Sequence, residues 1–460
     1  MRIVLTGHTG LSKNRIVERI GNFAREFGTF QHFAAEGRLH LGPALPSSRD
    51  LMDAWWESFE KSVVIPWTQL KDKPKLSILS MHLSWQVQSH FFSPAISRHA
   101  ARFTDFLTTE YRPDYVITLI DDIYRCQYKI RKTGYNFGLG ELLRWRNVEV
   151  LLSDMLADST VDNEGRAIDA KLFPYERSPV FAVNHPLSTF MRYFQQSEIP
   201  RIYLSYPITG PRKKLDAGDK NPMLEINHFR NYFSEKFTCF DPVTIDERPL
   251  AFLEQRYERN LAETASVQFT KAIEEQPPDR DARLHHLQNF FRQSRHDATV
   301  ELTKSDRWPR EGEHQHTLLG EEPQDIPNIS LRQIVGVTTG IDRENSEIDR
   351  QIRMRDFRLI DQADCVVIYR PTYLKQEGWS GGTQAELIYA QTQAKKAVWV
   401  ITDPSVDTSL NDGPFGQDLP PGNRIEVNGL SEKENRIKAF EQAASLIADN
   451  TREILKRKLR

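Results

Sequence analysis

The chain has 460 residues, enough for two or three domains of ordinary size, each with its own core. Its 61 Lys and Arg against 63 Asp and Glu leave a net charge of −2, which excludes a global pull toward nucleic acid or membrane. Eight Trp and 25 Phe exclude wholesale disorder.

The elements follow in chain order. Met1 to Thr6 reads as a short apolar strand, followed by the turn GHTGLSKN and a helical stretch from Arg15 to Phe27. Leu76 to Ser80, Tyr115 to Ile120 and Val180 to Val183 read as further buried strands, with helical patterns between them. Strands alternating with helices predict a parallel sheet. Asp158 to Pro174 is polar and irregular, and a boundary falls near residue 197, because Arg201 to Tyr206 begins a new sheet. Cys365 to Tyr369 and Ala397 to Ile401 continue that sheet, and LSEKENRIKAFEQAASLIADNTREILKRKL closes the chain as an amphipathic helix with a basic, solvated end. The stretch from about 251 to 328 is polar and reads as a helical insertion ending in a loop.

The expected fold is α/β, with two domains, 1–197 and 198–460. Each is a mostly parallel sheet flanked by helices, and the second carries the insertion. Cys126, Cys239 and Cys365 lack metal-ligand spacing, and their odd count suggests reduced thiols. The N-terminus begins as a strand and no apolar run approaches about 18 residues, so the expectation is a soluble, cytoplasmic protein. The His pairs at 285–286 and 314/316 lack the companions of a metal site, and no metal centre is expected.

Strand, then Gly7-His8-Thr9-Gly10-Leu11-Ser12-Lys13-Asn14, then helix is the layout of a phosphate-binding loop. Glycines let backbone N–H groups surround a phosphate, Lys13 opposes its charge, and the helix N-terminus adds partial positive charge. The spacing resembles the loop of adenylate-kinase-like P-loop nucleotide kinases. It departs at Ser12, which stands for a Gly, and at Asn14, which stands for the hydroxyl that binds Mg²⁺. The resemblance implies ATP or another nucleoside triphosphate with Mg²⁺ at the loop, and phosphate-facing Arg125 and Arg131, with Arg144 and Arg146 as further candidates. Asp121 and Asp122 read as an ion-holding pair or as caps of the helix that follows. Asp53, Trp55 and Trp56 border a base pocket or belong to the core, and His82 faces phosphates or is structural.

The second half holds RDFRLIDQADCVVIYRP, a Gly turn, then GTQAELIYA, in which Glu386 stands among apolar neighbours. A carboxylate there lies where ligands bind in open α/β sheets. GTQAELIYA, RIYLSYPITG and Asp356 together resemble, in order, the nucleoside 2-deoxyribosyltransferase family over roughly residues 200 to 405. That resemblance implies Glu386 as nucleophile on the anomeric carbon, Tyr203 orienting it, and Asp356 in binding or acid work, with no cofactor needed. Ser380 replaces an Asp of the family, so Ser380, Gly381 and Gly382 are expected to meet sugar or phosphate. Arg353 and Arg355 suit a phosphate-bearing substrate or are merely exposed. Glu225, Asn227 and Arg230 read as one helical face near this site.

The expected activity is therefore an N-glycosidic hydrolase or transferase acting on a small-molecule nucleoside, nucleotide or NAD. A kinase-like domain, sensing or phosphorylating nucleotide, precedes it. Alternatives are a nucleotide sensor without turnover and an NAD-cleaving defence effector. The family resemblance also points to a homo-oligomer, and neither membrane nor nucleic acid is expected as a partner.

Overall fold

The computed structural model describes residues 1–24, 28–35, 48–87, 90–135, 137–159, 177–196, 198–216, 218–245, 247, 282, 285, 299–302, 313–322, 324–330, 341–372, 380–405 and 423–458. The polar stretch from 160 to 174 and most of the expected insertion lie outside these residues.

The strands are β1 (Arg2–Thr6), β2 (Phe30–Ala34), β3 (Leu76–Ser80), the short hairpin β4 (Trp85–Val87) and β5 (His90–Phe92), β6 (Tyr115–Ile120), β7 (Val180–Ala182), β8 (Arg201–Ser205), β9 (Thr238–Phe240), the antiparallel pair β10 (Thr299–Leu302) and β11 (Ile326–Ser330), β12 (Cys365–Tyr369), β13 (Ala397–Thr402) and β14 (Arg424–Glu426). Most assemble into two five-stranded parallel sheets flanked by helices, ordered β2-β3-β1-β6-β7 and β14-β13-β12-β8-β9.

Two compact units emerge. One comprises Met1–Ile168, Ala182–Asn184 and Ile245–Ile352, and the other Asp169–Phe181, His185–Thr244 and Arg353–Arg460. The expected single crossing near residue 197 differs from this division. The stretch from about 251 to 328, read as an insertion of the second half, falls within Ile245–Ile352, which groups with the first unit. Hydrogen bonds give the reason: the Arg19 side chain on helix α1 (Lys13–Ala24) donates to the carbonyls of Gln315 and Thr317, and the backbone N–H of Leu319 donates to the Val183 carbonyl.

In the first unit β1, β3 and β6 are almost wholly buried runs of Val, Ile and Leu, as a sheet covered on both faces requires. Ile3 pairs with both Ile78 and Tyr115. Helix α1 lays Ile16, Val17, Ile20 and Ala24 inward, the 3.6-residue stripe of a helix on a sheet. Helices α2 (Ser48–Phe59), α3 (Ile65–Gln69) and α4 (Ala100–Asp105) supply an aromatic core of Trp55, Trp56, Phe59, Trp67 and Phe103, so the two neighbouring tryptophans are core residues. Trp55 stacks on Phe59 at 4.9 Å, and Trp56 on His99 at 5.4 Å. Helix α6 (Leu139–Ser159) adds Leu152, Leu156 and Ala157 to this core, while α5 (Ile123–Arg131) packs with the start of α6 and with β10 and β11 in a second cluster.

The second unit is built on the same plan, with helices α7 (Leu187–Gln195), α8 (Thr209–Asp216), α9 (Asn221–Lys236), α10 (Ile341–Asp361, from Arg353 onward), α11 (Gly381–Ile388) and α12 (Lys433–Lys458). Phe229 and Phe233 of α9, Tyr369 of β12 and Phe440 of α12 form its aromatic centre. β8 leads to β9 on one side, while β12 leads to β13 on the other. The connections therefore part between the neighbours β8 and β12, the place where open α/β sheets bind ligands. No described helix is long and apolar enough to cross a membrane.

Candidate functional sites

At the carboxyl end of β1 the chain turns through Gly7 (φ +137°), Gly10 (φ +89°) and Ser12 (φ +56°). A Cβ on Gly7 would meet the Leu119 carbonyl oxygen at 2.5 Å, so only glycine fits there. Ser12 adopts the left-handed backbone that the glycine it replaces would take at lower cost. Its carbonyl then accepts from Arg15 and Ile16, which starts α1 at Lys13. The first N–H groups of a helix lack intrahelical acceptors, so the turn is preorganised for an anion.

Lys13 is buried and donates its Nζ to Gly7 O at 2.8 Å, while His82 lies 3.0 Å from that Nζ and 2.8 Å from the same carbonyl. His82 thus braces the lysine. His8 is wholly buried beside the Trp145 ring, and burial pulls its pKa down to about 3, so it stays neutral. A cleft of about 340 Å³, at the lower end of small-molecule sites, is lined by His8, Thr9, Gly10, Leu11, Ser12, Lys13, Asn14, Arg15, His82 and Glu321. It brings the sequence-predicted loop residues His8 to Asn14 together. For an ion it offers the Asn14 amide and the hydroxyls of Thr9 and Ser12.

The other predicted residues of this half fall differently. Asp122 caps α5, accepting from Tyr124 N at 2.8 Å and Arg125 N at 3.0 Å. Asp121 accepts from Asp122 N and faces Arg125 across 3.4 Å. Arg125 is turned to Asp121, Asn184 and Glu321, and Arg131 stands at the far end of α5; neither lines the cleft. Arg146 forms a buried pair with Glu247, Arg144 is exposed, and Asp53 holds Arg98 and His99.

Three residues at this site have no local signature in the sequence. Glu149 of α6 is fully buried and accepts from Thr6 Oγ1, Gly7 N, Leu83 N, Ser84 N and Ser84 Oγ, tying the ends of β1 and β3 together beneath the loop. Lys129 donates to Ser12 Oγ at 3.1 Å. Glu321 meets Arg15, Arg125 and Lys129. Contacts spanning more than 60 to about 300 residues leave no periodic trace.

In the second unit Glu386 sits in the second turn of α11. Tyr203 Oη donates to its Oε1 at 2.8 Å and Ser205 Oγ to its Oε2 at 2.6 Å. Both donors are on β8, two residues apart and so on one face of the strand. That spacing could have disclosed Ser205, which the sequence reading omitted. Burial raises the Glu386 pKa to about 8. The charge of Asp356 adds to the rise, while the Ser205 and Tyr203 hydrogen bonds oppose it. Burial also lifts Tyr203 well above the usual phenol range, so it remains a hydroxyl donor.

Asp356 is gripped by Arg355, whose Nε and Nη2 donate at 3.0 and 2.8 Å. Arg355 is buried in that pair, and Arg353 is exposed. Ser380 is the N-cap of α11, its Oγ accepting from Thr383 N at 3.2 Å. Gly381 and Gly382 are exposed, and a Cβ on either would meet nothing within 4 Å. Glu225 accepts from Tyr369 and Thr372, while Arg230 binds Asp241 and Asn227, fixing α9 at the carboxyl ends of β12 and β9. Asp364 binds Arg201 at the opposite edge of the sheet.

No family model matches the chain, and no curated protein matches it. An apo-form GTPase from Pyrococcus abyssi overlaps 40% of this chain and 90% of its own, at 8% identity and a TM-score of 0.18. So slight a likeness carries no argument about fold or activity.

Proposed function

We propose that the second unit breaks or transfers N-glycosidic bonds of a nucleoside, a nucleotide or NAD, with Glu386 as nucleophile. The observation that carries this reading is the grip of Tyr203 and Ser205 on the two Glu386 oxygens, beside a second carboxylate, Asp356, at the switch point of the sheet. A carboxylate whose charge is disfavoured by burial and by a like neighbour is one that a developing oxocarbenium cation would stabilise most. The Glu386 oxygen attacks the anomeric carbon, the C–N bond breaks, and the base leaves with the electron pair; a purine or pyrimidine then takes up a proton, whereas the cationic nicotinamide of NAD leaves neutral and needs none. Water or an acceptor base then attacks the same carbon and frees Glu386. Tyr203 and Ser205 aim the nucleophile, and Asp356 binds the base or handles its proton. The test is chromatography of free base after incubation with nucleosides, nucleotides and NAD. Release that persists undiminished in Glu386→Gln would sink the proposal.

For the first unit, the reading is a loop that binds the phosphates of a nucleoside triphosphate, with the nest of Gly7, Gly10 and Ser12 and the cleft above it as support. Sensing without turnover is favoured by Asn14 in place of a hydroxyl and by Asp121 turned to Arg125. ATP retained on the protein with no ADP formed is the expected result, and steady ADP formation would replace sensing by phosphoryl transfer.

A further inference from the structure

Glu321 is the one acid among the residues lining the loop cleft, and three cations from two helices converge on it. Arg15 of α1 meets its Oε1 at 2.9 Å, while Arg125 and Lys129 of α5 meet its Oε2 at 3.1 and 3.3 Å. Lys129 also holds Ser12 Oγ, so the cation cluster is continuous with the loop. The segment carrying Glu321 is strapped down. Arg15 donates to the Gly320 carbonyl, Arg19 to those of Gln315 and Thr317, and Leu318 and Leu319 are fully buried. Beyond Glu321 lies a second, smaller cavity of about 40 Å³, bordered by Arg125, Tyr128, Lys129 and Lys132 and by one further acid, Glu322. The carboxylate thus stands between two cavities whose walls are rich in cations.

Resting on the reading of the loop as a phosphate site, we propose that Arg15, Arg125 and Lys129 form an anion subsite beside it. Glu321 fills that subsite in the unliganded chain, and a phosphoryl group of a bound nucleoside triphosphate displaces it. Opposite charge binds whichever anion the site is offered, and a triphosphate brings more charge than one carboxylate. Although burial raises its pKa, Lys129 and then Arg125 pull Glu321 below the usual carboxylate range, so it remains an anionic competitor at neutral pH. Triphosphate binding and release of the strap become one equilibrium, so the ligand must overcome Glu321 before its full affinity is realised.

The test is calorimetric titration of the full chain and of Glu321→Gln with ATP, and with adenosine as the uncharged control. The variant is expected to bind ATP about tenfold more tightly, the effect of removing one competing charge, with adenosine affinity unchanged. Equal ATP affinities would overturn the displacement and leave the loop reading standing. Failure of both proteins to bind ATP would overturn the two together. In the unmodified chain, hydrogen exchange at Leu319 to Glu322 should quicken when ATP is added, and unchanged protection in an ATP-saturated sample counts against the proposal even if the variant does not fold.

Discussion

At the carboxyl edge of the first sheet the chain gathers Lys13, Arg15, Arg125 and Lys129 around a loop of backbone N–H groups. At the same edge of the second sheet it gathers Glu386 and Asp356 with two hydroxyls. Both sites use the same geometric opportunity, the parting of connections above a parallel sheet. Their chemistry is opposite in sign. The first is preorganised for an anion that arrives already charged. The second keeps a carboxyl reluctant to ionise, suited to a cation that appears only during reaction. Under the proposed reading, one sheet plan hosts binding in one unit and catalysis in the other, according to which side chains end its strands.

The comparison breaks most sharply at Glu386. Glu386→Gln is expected to lower base release by at least about 10³-fold, read by chromatography. The pH profile adds a second check. With the free carboxyl held at about 8 by burial and by Asp356, kcat/KM for base release should climb with pH through that value, because only the ionised form attacks. The same shift has a stability consequence. A pKa raised from 4.5 to about 8 favours the protonated fold, and that contribution, complete below about 4.5, is lost as pH rises through about 8. Glu386→Gln should therefore melt higher than the unmodified chain at pH 9, although it is inactive.

In the first unit, Glu149→Leu removes the acceptor of five buried donors, of which Leu83 N keeps another in Thr6 Oγ1, and should cost roughly 3–5 kcal/mol in urea unfolding. Lys13→Ala should weaken ATP binding by about 100-fold in titration without loss of fold, while base release is unchanged. Tyr203→Phe removes one donor and should lower kcat about tenfold. Because that hydrogen bond holds the Glu386 pKa down, the rising limb should move to higher pH. Ser380→Ala, which removes the helix cap and the hydroxyl contact with Thr383, should cost about 1 kcal/mol of stability, read in urea unfolding.

The two sites also differ in how much of each was legible. The loop could be read locally, because strand, glycines and lysine are consecutive. Even the departure at Ser12 pointed to the position that adopts positive φ. Of the second site only Glu386 could be read locally, as a lone acid after a Gly turn; Tyr203 and Asp356 entered through resemblance, since the three are scattered over 183 residues and meet through the sheet. Ion pairing was the least legible layer. Arg355 looked available for a phosphate but is spent on Asp356, and Arg125 on Asp121 and Glu321. A charged side chain has many candidate partners along a chain, and folding alone selects among them. Fold class was the easiest part, because the buried strands announce themselves as unbroken apolar runs.

The interleaving of the two units has a consequence for how the protein is made. The chain leaves the first unit after β6 and α6, returns for Ala182–Asn184, leaves again, and supplies Glu321 only with Ile245–Ile352. On the ribosome, where domains fold as they emerge, Arg15, Arg125 and Lys129 are synthesised well before the carboxylate that neutralises them. The second sheet likewise waits for β12 to join β8 to β13. A gene cut once near codon 197 would thus yield two fragments, the first lacking its strap and the second carrying it without the helices that hold it.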